Sequence, residues 1–235
     1  MKGEKTRLRI AATSDIHWPQ YQGLFIKSLR QLPKLDLLLI AGDLVNRGNP
    51  RSIAPVIGKL NEAKLECPIF ACFGNDDYDS IKDTMRTQGQ DIIQFLDDEL
   101  VTLPIRGKQV SIVGSRGVLD QPTFWQTRNI KGIKEVYAKR LDTLDTLLEQ
   151  AKALSPYSIL LTHYTPTFVT LKGETRRAHA QMGSQRVENL LKKHSPMLAI
   201  HGHAHRGLPK AKLNKVRIYN VALPLNRRIV VIKRL

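Results

Sequence analysis

The sequence predicts an α/β fold built on parallel strands, and two observations support this prediction. The first is the pattern of the first 77 residues, in which apolar runs alternate with amphipathic segments in the order strand, helix, strand, helix, strand. The second is the continuous apolar character of the runs, which is typical of strands buried on both faces. With 235 residues the chain is long enough for a substantial core, and we expect one domain over residues 1–235.

The first half of the chain supplies the strands and helices of this pattern. Buried strands are predicted at residues 8–13, 37–41 and 69–73. The first intervening helix has apolar residues at three- and four-residue steps and ends before Pro33. The second helix is predicted at residues 52–63.

The second half of the chain begins differently, with a hairpin predicted at residues 101–105 and 109–113. A loop that holds Pro122, Phe124 and Trp125 follows it. The remaining expected elements are a long helix at 133–153, a strand at 158–162, a polar stretch at 172–183, a helix at 184–194, and strands at 196–200, 216–221 and 228–233. The long helix carries an apolar stripe that is expected to pack in the core, formed by Ile133, Val136, Tyr137, Leu141, Leu144, Leu148 and Ala151.

Basic residues are concentrated in the last quarter of the chain. The whole sequence has 37 Lys and Arg against 21 Asp and Glu, a formal net charge of +16. Residues 172–235 contain 15 basic and 2 acidic side chains, whereas residues 1–171 contain 22 and 19. Such a cationic block is typical of proteins that bind phosphate esters, nucleotides or nucleic acid. A general solubility role is an equal alternative, so the charge alone names no partner.

The start of the chain and its cysteines predict a cytoplasmic protein. Residues 1–10 are mostly charged, so no secretory signal is expected. No apolar run approaches the roughly 20 residues that span a bilayer, so no membrane partner is expected. Cys67 and Cys72 form no paired motif and are expected to be small buried side chains in a reducing compartment.

Polar side chains follow the ends of five predicted strands, where open α/β sheets bind their ligands. The set contains carboxylates, an amide and imidazoles but no thiolate, which suits Mn, Fe, Co, Ni or Zn rather than a structural zinc cluster. Seven groups exceed the needs of one ion, but two ions that share a carboxylate would use them all, and such pairs serve phosphate ester hydrolysis. The candidate metal ligands are Asp15, His17, Asp43, Asn75, His163, His203 and His205.

The order of these residues resembles the motifs of the calcineurin-like metallophosphoesterases. The blocks D-x-H, G-D, G-N-x-D, H and G-H-x-H run from Asp15 to His205, each after a predicted strand. The resemblance implies a four-layer α/β/β/α sandwich of two mixed sheets flanked by helices. It has no role for His201, which is expected to pack in the core or behind the ligands. The implied ligands are Asp15, His17 and His205 for the first ion and Asn75, His163 and His203 for the second, with Asp43 as the bridge.

The resemblance also implies an activity, that of a dinuclear metal-dependent phosphoric ester hydrolase in which a metal-bound hydroxide attacks phosphorus directly. Manganese is the expected metal, with Fe, Zn, Co and Ni as alternatives. The expected activity is that of a phosphodiesterase. Two alternatives stay open: a nuclease that acts on RNA or DNA through the basic C-terminal quarter, and a catalytically weak interaction scaffold. The filled ligand positions argue against the scaffold, and the absence of a nucleic-acid-binding motif argues against the nuclease.

The third block departs from the family pattern, which usually reads G-N-H-D or G-N-H-E. Asp76 stands where the family has a histidine that approaches the phosphate and can protonate the leaving group. Asp76 either acts as the acid with a pKa raised by its neighbour Asp77, or stays ionised in an enzyme that favours good leaving groups. We favour the second alternative, and with it a phosphodiester substrate. The candidate catalytic residues are Asp76, Asn75 and His163.

A polar segment after His163 supplies candidate substrate contacts. Arg176, Arg177 and His179 are expected on a loop at the rim of the site, where arginine suits bidentate capture of phosphate. A solvated charged loop is the alternative.

Overall fold

Two β-sheets pack face to face and carry helices on their outer surfaces. The computed structural model describes residues 8–232. Within this range the strands are β1 (Ile10–Thr13), β2 (Leu37–Ala41), β3 (Ile69–Cys72), β4 (Gln94–Leu96), β5 (Glu99–Ile105), β6 (Lys108–Ser115), β7 (Tyr157–Thr162), β8 (Leu198–His201), β9 (Lys210–Leu213), β10 (Val216–Asn220) and β11 (Val230–Ile232). The α-helices of the same range are α1 (Gln22–Arg30), α2 (Ile53–Glu62), α3 (Lys82–Gly89), α4 (Phe124–Asn129), α5 (Ile133–Leu154), α6 (Gln185–His194) and α7 (Leu223–Asn226).

Both sheets are mixed, as the resemblance implied. The first has the strand order β11-β1-β2-β3-β4, in which β1 to β4 are parallel and β11 is antiparallel to β1. The second has the order β5-β6-β7-β8-β10-β9, with a parallel centre and an antiparallel strand at each edge. Because the central strands of each sheet run in parallel, their carboxyl ends lie at one edge.

Three apolar clusters hold the four layers together. The central one lies between the sheets and includes Leu39, Ile112 and Leu161, all fully buried. A second cluster packs α1, α2 and α3 on the first sheet, and a third packs α5 and α6 on the second. Strands covered on both faces have no polar face to display, which explains the unbroken apolar runs of β1 and β2. The layers confirm the predicted α/β/β/α sandwich.

The helical outer layers remain amphipathic. Ser184 caps α6 by accepting hydrogen bonds from the backbone N–H groups of Arg186 and Val187, so the predicted start of that helix is confirmed.

Within residues 8–232, no helix combines the length and the apolar character that crossing a membrane requires.

The structure corrects several sequence-based expectations. Phe124 and Trp125 lie on the short helix α4 rather than in a loop, because Thr123 and Gln126 form a capping box that starts it. Val136 is exposed, since it lies about 100° around α5 from the buried Tyr137. Helices α3 and α7 and strands β4 and β9 were not expected, because they are short and only partly apolar.

The predictions at the chain ends are only partly covered by the structure. The strand expected at residues 228–233 is present as β11, and Lys233 lies outside the described residues. The expected absence of a secretory signal rests partly on residues 1–7, which also lie outside them. Cys72 is buried and Cys67 is half-buried, each as a free thiol.

Candidate metal centre

The ends of five parallel strands bring the predicted ligands to one edge of the sandwich. Asp15 and His17 follow β1, and their backbone N–H groups donate to the carbonyls of Gly42 and Asp43 after β2, each at 3.0 Å. His163 follows β7, and its carbonyl accepts from the N–H of Gly202 after β8 at 3.2 Å. These cross-links fix the strand ends to one another before any side chain is considered.

The first group of ligands surrounds the carboxylate of Asp15, which is fully buried. Its Oδ1 lies 2.9 Å from Nε2 of His205 and 3.7 Å from Nε2 of His17. One ligand atom from each of the three residues lies within 4.8 Å of the others, a spacing at which one cation can contact all three. The structure therefore brings together the three residues that were predicted for the first ion.

The second group forms around His163, which is also fully buried. Its Nε2 lies 2.9 Å from Oδ1 of Asn75 and 3.4 Å from Oδ2 of Asp43. The ring of His203 lies beside that of His163, with 5.0 Å between centroids. Oδ2 of Asp43 also lies 3.6 Å from Nε2 of His17, so this carboxylate stands between the two groups.

Three atoms that carry lone pairs converge in the second group: Nε2 of His163, Oδ1 of Asn75 and Oδ2 of Asp43. Nδ1 of His163 donates to the carbonyl of Ala41 at 2.9 Å, so in the neutral ring Nε2 carries the lone pair. Nδ2 of Asn75 donates to Asp76 at 3.1 Å, which turns Oδ1 of Asn75 toward His163. Three acceptor atoms thus face one another, and a cation satisfies them all. The donor set fits a divalent metal in the absence of thiolates.

The pKa values of the buried groups also indicate a site for a cation. Burial, together with the nearby carboxylates of Asp77 and Asp15, raises the pKa of Asp43 well above its usual range. Burial acts to lower the pKa of His17, but the adjacent carboxylates of Asp15, Asp76 and Asp43 outweigh it and raise the value to about 11. The cluster therefore attracts positive charge, which protons supply when no metal does.

The second-group imidazoles are held neutral. Burial lowers the pKa of His163 to about 4 and that of His203 to about 3. Neutral imidazole is the form that ligates metal. His201 is fully buried and bonds the Thr170 hydroxyl and the Gly202 carbonyl instead, as expected for a residue that is not a ligand.

The backbone at four of the ligands adopts the left-handed conformation that side chains rarely take. The φ values are 55° at Asp15, 41° at His17, 53° at Asp43 and 66° at His203. Such conformations cost free energy and cluster at functional sites. Tight glycine packing accompanies them: a Cβ on Gly202 would lie 2.5 Å from Oδ2 of Asp15 and against the hydroxyl of Ser14.

Asp77 holds two strand ends in register. Its Oδ2 accepts hydrogen bonds from the backbone N–H of Asp43 at 2.7 Å and of Gly74 at 2.9 Å. Its Oδ1 accepts from Leu44 at 3.0 Å and from Val45 at 3.3 Å. The G-N-x-D block ends in this residue, so the motif contained the signal, but sequence reasoning considered Asp77 only as a neighbour of Asp76 and not as an acceptor for the backbone.

Asp76 lies at the first group and behaves as an acceptor. Its Oδ2 accepts from the N–H of Arg47 at 3.0 Å and lies 3.3 Å from Nδ1 of His17. That Nδ1 has no aligned hydrogen-bond partner within residues 8–232. Burial alone would raise the pKa of Asp76, but His17 and the Arg47 N–H lower it below the usual range. His17, Asp43 and Asp76 also offer ligand atoms close enough to share one cation.

The structure does not bring the predicted rim arginines to the ligands. Arg176 and Arg177 are exposed on a 3-10 segment, Arg176–Gln181. Nε2 of His179 faces the carbonyl of Glu174 at 3.4 Å, and its ring packs beside Phe168. Their role in substrate binding stays a prediction.

Comparisons with known proteins identify the family and similar folds. A family model for calcineurin-like phosphoesterases matches residues 8–207. The fold is similar to that of the phosphopantetheinyl hydrolase from Mycobacterium tuberculosis, with a TM-score of 0.68 and 15% identity over 95% of this chain and 96% of that one. It is also similar to TT1561 of Thermus thermophilus, with a TM-score of 0.59 and 20% identity over 97% of this chain and 99% of that one.

A third similar structure has a different role. GAP50, the anchor in the inner membrane complex of Plasmodium, matches with a TM-score of 0.61 and 15% identity over 94% of this chain and 73% of that one. No curated protein sequence matches the chain. At 15–20% identity the solved structures show only that the fold is similar. The assignment of the chain to a family rests on the match of the family model to residues 8–207.

Replacing Asp77 by Asn should destabilise the protein. One carboxylate oxygen becomes an NH₂ group that faces two backbone donors, and relief of the repulsion with Asp43 offsets only part of this loss. We expect the free energy of unfolding to fall by about 2–4 kcal/mol in urea titrations. The exposed Asp91→Asn is the control and should change it by less than about 0.5 kcal/mol. Equal stability of the two variants would contradict the role of Asp77.

Replacing Gly202 by Ala should impair metal binding. The added Cβ displaces the Asp15 carboxylate, so we expect Mn²⁺ affinity, measured by isothermal titration calorimetry, to fall at least about tenfold. Gly58→Ala is the matched control, because nothing lies within 4 Å of a Cβ there in the middle of α2. That variant should bind Mn²⁺ normally and gain about 0.5–1 kcal/mol of stability. Unchanged affinity in Gly202→Ala would contradict the packing argument.

Proposed function

The chain belongs to the calcineurin-like phosphoesterases, a family of metal-dependent phosphoric ester hydrolases, and we propose that its substrates are phosphodiesters. We propose further that two divalent ions, with manganese first among them, occupy the two groups of ligands around Asp15 and His163. The observation that carries the preference for diesters is the state of Asp76, which stands in the position of the usual histidine.

The contacts of Asp76 leave it without a proton to donate. One carboxylate oxygen accepts from Arg47, the other accepts from Asn75, and the imidazole of His17 lies beside the first. All of these partners favour the ionised form, which agrees with the lowered pKa. A group that is ionised near neutral pH cannot protonate a leaving oxygen.

The charge of Asp76 also bears on which esters bind. It lies in the wall of the cavity that opens on the ligands. A phosphomonoester dianion carries one more negative charge than a diester, so an ionised carboxylate in that wall repels the monoester more strongly. The missing proton donor favours esters with good leaving groups, and the negative charge favours diesters over monoesters. Both effects therefore favour diesters with good leaving groups.

The protein groups around the ions position the reaction. When bound, the ions neutralise phosphate oxygens and activate water for attack on phosphorus. Asp43 stands between the two groups of ligands, and the Ala41 carbonyl orients His163. Asp76 orients the amide of Asn75, so it supports the second group while contacting His17 of the first. In this arrangement Asp76 is a positioning residue.

The diester preference can be measured with two nitrophenyl esters in Mn²⁺. We expect kcat/KM for bis-p-nitrophenyl phosphate to exceed that for p-nitrophenyl phosphate at least about tenfold, equivalent to ~1.4 kcal/mol. A screen of cyclic nucleotides and oligonucleotides across Mn, Co, Ni, Zn and Mg identifies the metal and tests the alternative of a nuclease. A clear monoester preference would contradict the proposal. A protein that binds no metal and cleaves no ester would favour the interaction scaffold.

Two variants distinguish the effect of the missing proton donor at position 76 from the effect of the negative charge of Asp76. Asp76→His supplies a proton donor and should raise kcat for p-nitrophenyl phosphate. Asp76→Asn removes only the charge and should lower KM for that monoester with little change in kcat. Metal content measured on both variants controls for the lost contacts to His17 and Asn75. If neither variant gains monoesterase activity at full metal content, Asp76 does not limit it.

A further inference from the structure

A cavity of about 500 Å³ opens beside the candidate metal centre, and no sequence pattern had indicated it. Asn75, Asp76 and His203 form its inner end, so a phosphate held at the ligands would lie at its floor. Its volume falls in the range of small-molecule sites. Its lining also includes Trp125, in the first turn of α4, and Ile130, at the C-terminal cap of the same helix.

Helix α4 is fixed to the metal centre through one tyrosine. Gln126 completes the capping box with Thr123, and its Nε2 donates to the hydroxyl of Tyr164 at 2.9 Å. Tyr164 is buried, follows His163 directly, and packs its ring 5.0 Å from that of His203. The position of Trp125 relative to the ligands is therefore set by a short chain of buried contacts.

The two ends of the cavity differ in chemistry. Near the ligands, the guanidinium of Arg116 donates from Nη2 to the Asp77 carbonyl and to Oδ1 of Asp79, both at 3.0 Å, and its side chain is only 13% exposed. Nε of Arg116 has no hydrogen-bond partner within residues 8–232. This fixed cation suits the anionic end of a substrate.

The part of the cavity lining that comes from α4 and its two caps carries no charge and consists of Thr123, Trp125, Gln126 and Ile130. Trp125 is 58% exposed although it lies in a cavity wall, so much of its ring faces open space. An exposed indole gains most from a flat partner that stacks on it. The neighbouring Phe124 is 74% exposed on the same helix but does not line the cavity.

We infer that this cavity binds the non-reacting substituent of a phosphodiester and that the substituent is a planar aromatic group of the size of a nucleoside. The inference rests on the proposed diesterase activity and adds the substrate class. Trp125 stacks on the plane of the ring, while Arg116 faces the phosphate end. The rim groups of Thr123 and Gln181 offer polar contacts to the edges of a heteroaromatic ring.

The test compares two diesters that share one leaving group. Thymidine 5′-(p-nitrophenyl phosphate) carries a planar base on its non-reacting side, and methyl p-nitrophenyl phosphate carries none. Trp125→Ala should raise KM for the thymidine ester about tenfold and change the methyl ester less than about twofold. Phe124→Ala, which removes a more exposed ring outside the cavity, should leave both esters unchanged.

Two kinetic outcomes would overturn the inference. Equal losses on both esters would place the shared nitrophenyl group, rather than the base, against Trp125. No loss on either ester would remove Trp125 from substrate binding, while the diesterase proposal would stand.

A binding measurement separates this inference from the diesterase proposal. Trp18 is buried and Trp125 is exposed, so the methyl diester of thymidine 5′-monophosphate, which carries the single charge of the proposed substrate, should quench the exposed tryptophan in the wild type and in Phe124→Ala but not in Trp125→Ala. If the wild type cleaves no diester yet shows this pattern, the cavity is supported and the proposed activity fails. If quenching is absent or survives in Trp125→Ala, the cavity does not bind a planar ring.

Discussion

The carboxylate of Asp77 is the contact on which the arrangement of the metal centre depends. It accepts four backbone hydrogen bonds and so joins the loop after β2 to the loop after β3. Asp43 lies on the first of these loops, and Asn75 and Asp76 lie on the second. Their mutual positions therefore follow from one buried acceptor, which satisfies donors that a strand end leaves unpaired.

The ligands are held in place at a conformational cost. Asp15, His17, Asp43 and His203 have positive φ, and each lies in or next to a cross-link between strand ends. A Cβ on Gly74 would collide with the Asp43 carboxylate, which explains why the residue before Asn75 is a glycine. Packing thus imposes the left-handed backbone, and that backbone turns the side chains toward the shared edge.

The parts of this site that follow from sequence are those tied to parallel strands. Because strand ends of one direction meet at one edge, five apolar runs with polar ends were enough to predict the candidate ligand set, whereas the four layers were implied only by the resemblance of the motifs to a known family. The contacts of Asp76 could not be predicted from the sequence, because Arg47 and His17 come close to it only when the loops are folded. Helix α4 was taken for a loop because six residues show no periodicity, although Thr123 and Gln126 carried the capping signal.

The charges of the centre connect the two proposals. Asp15 and Asp76 place negative charge where the proposed ester binds, so in the proposed function the phosphate is held by bound cations and by Arg116. A diester loses less to this repulsion than a monoester, but it also gains less from each cation. The remaining affinity must then come from a neutral part of the substrate. A cavity with an aromatic outer wall, fixed to the ligands through Tyr164, is the feature beside this site that can supply it.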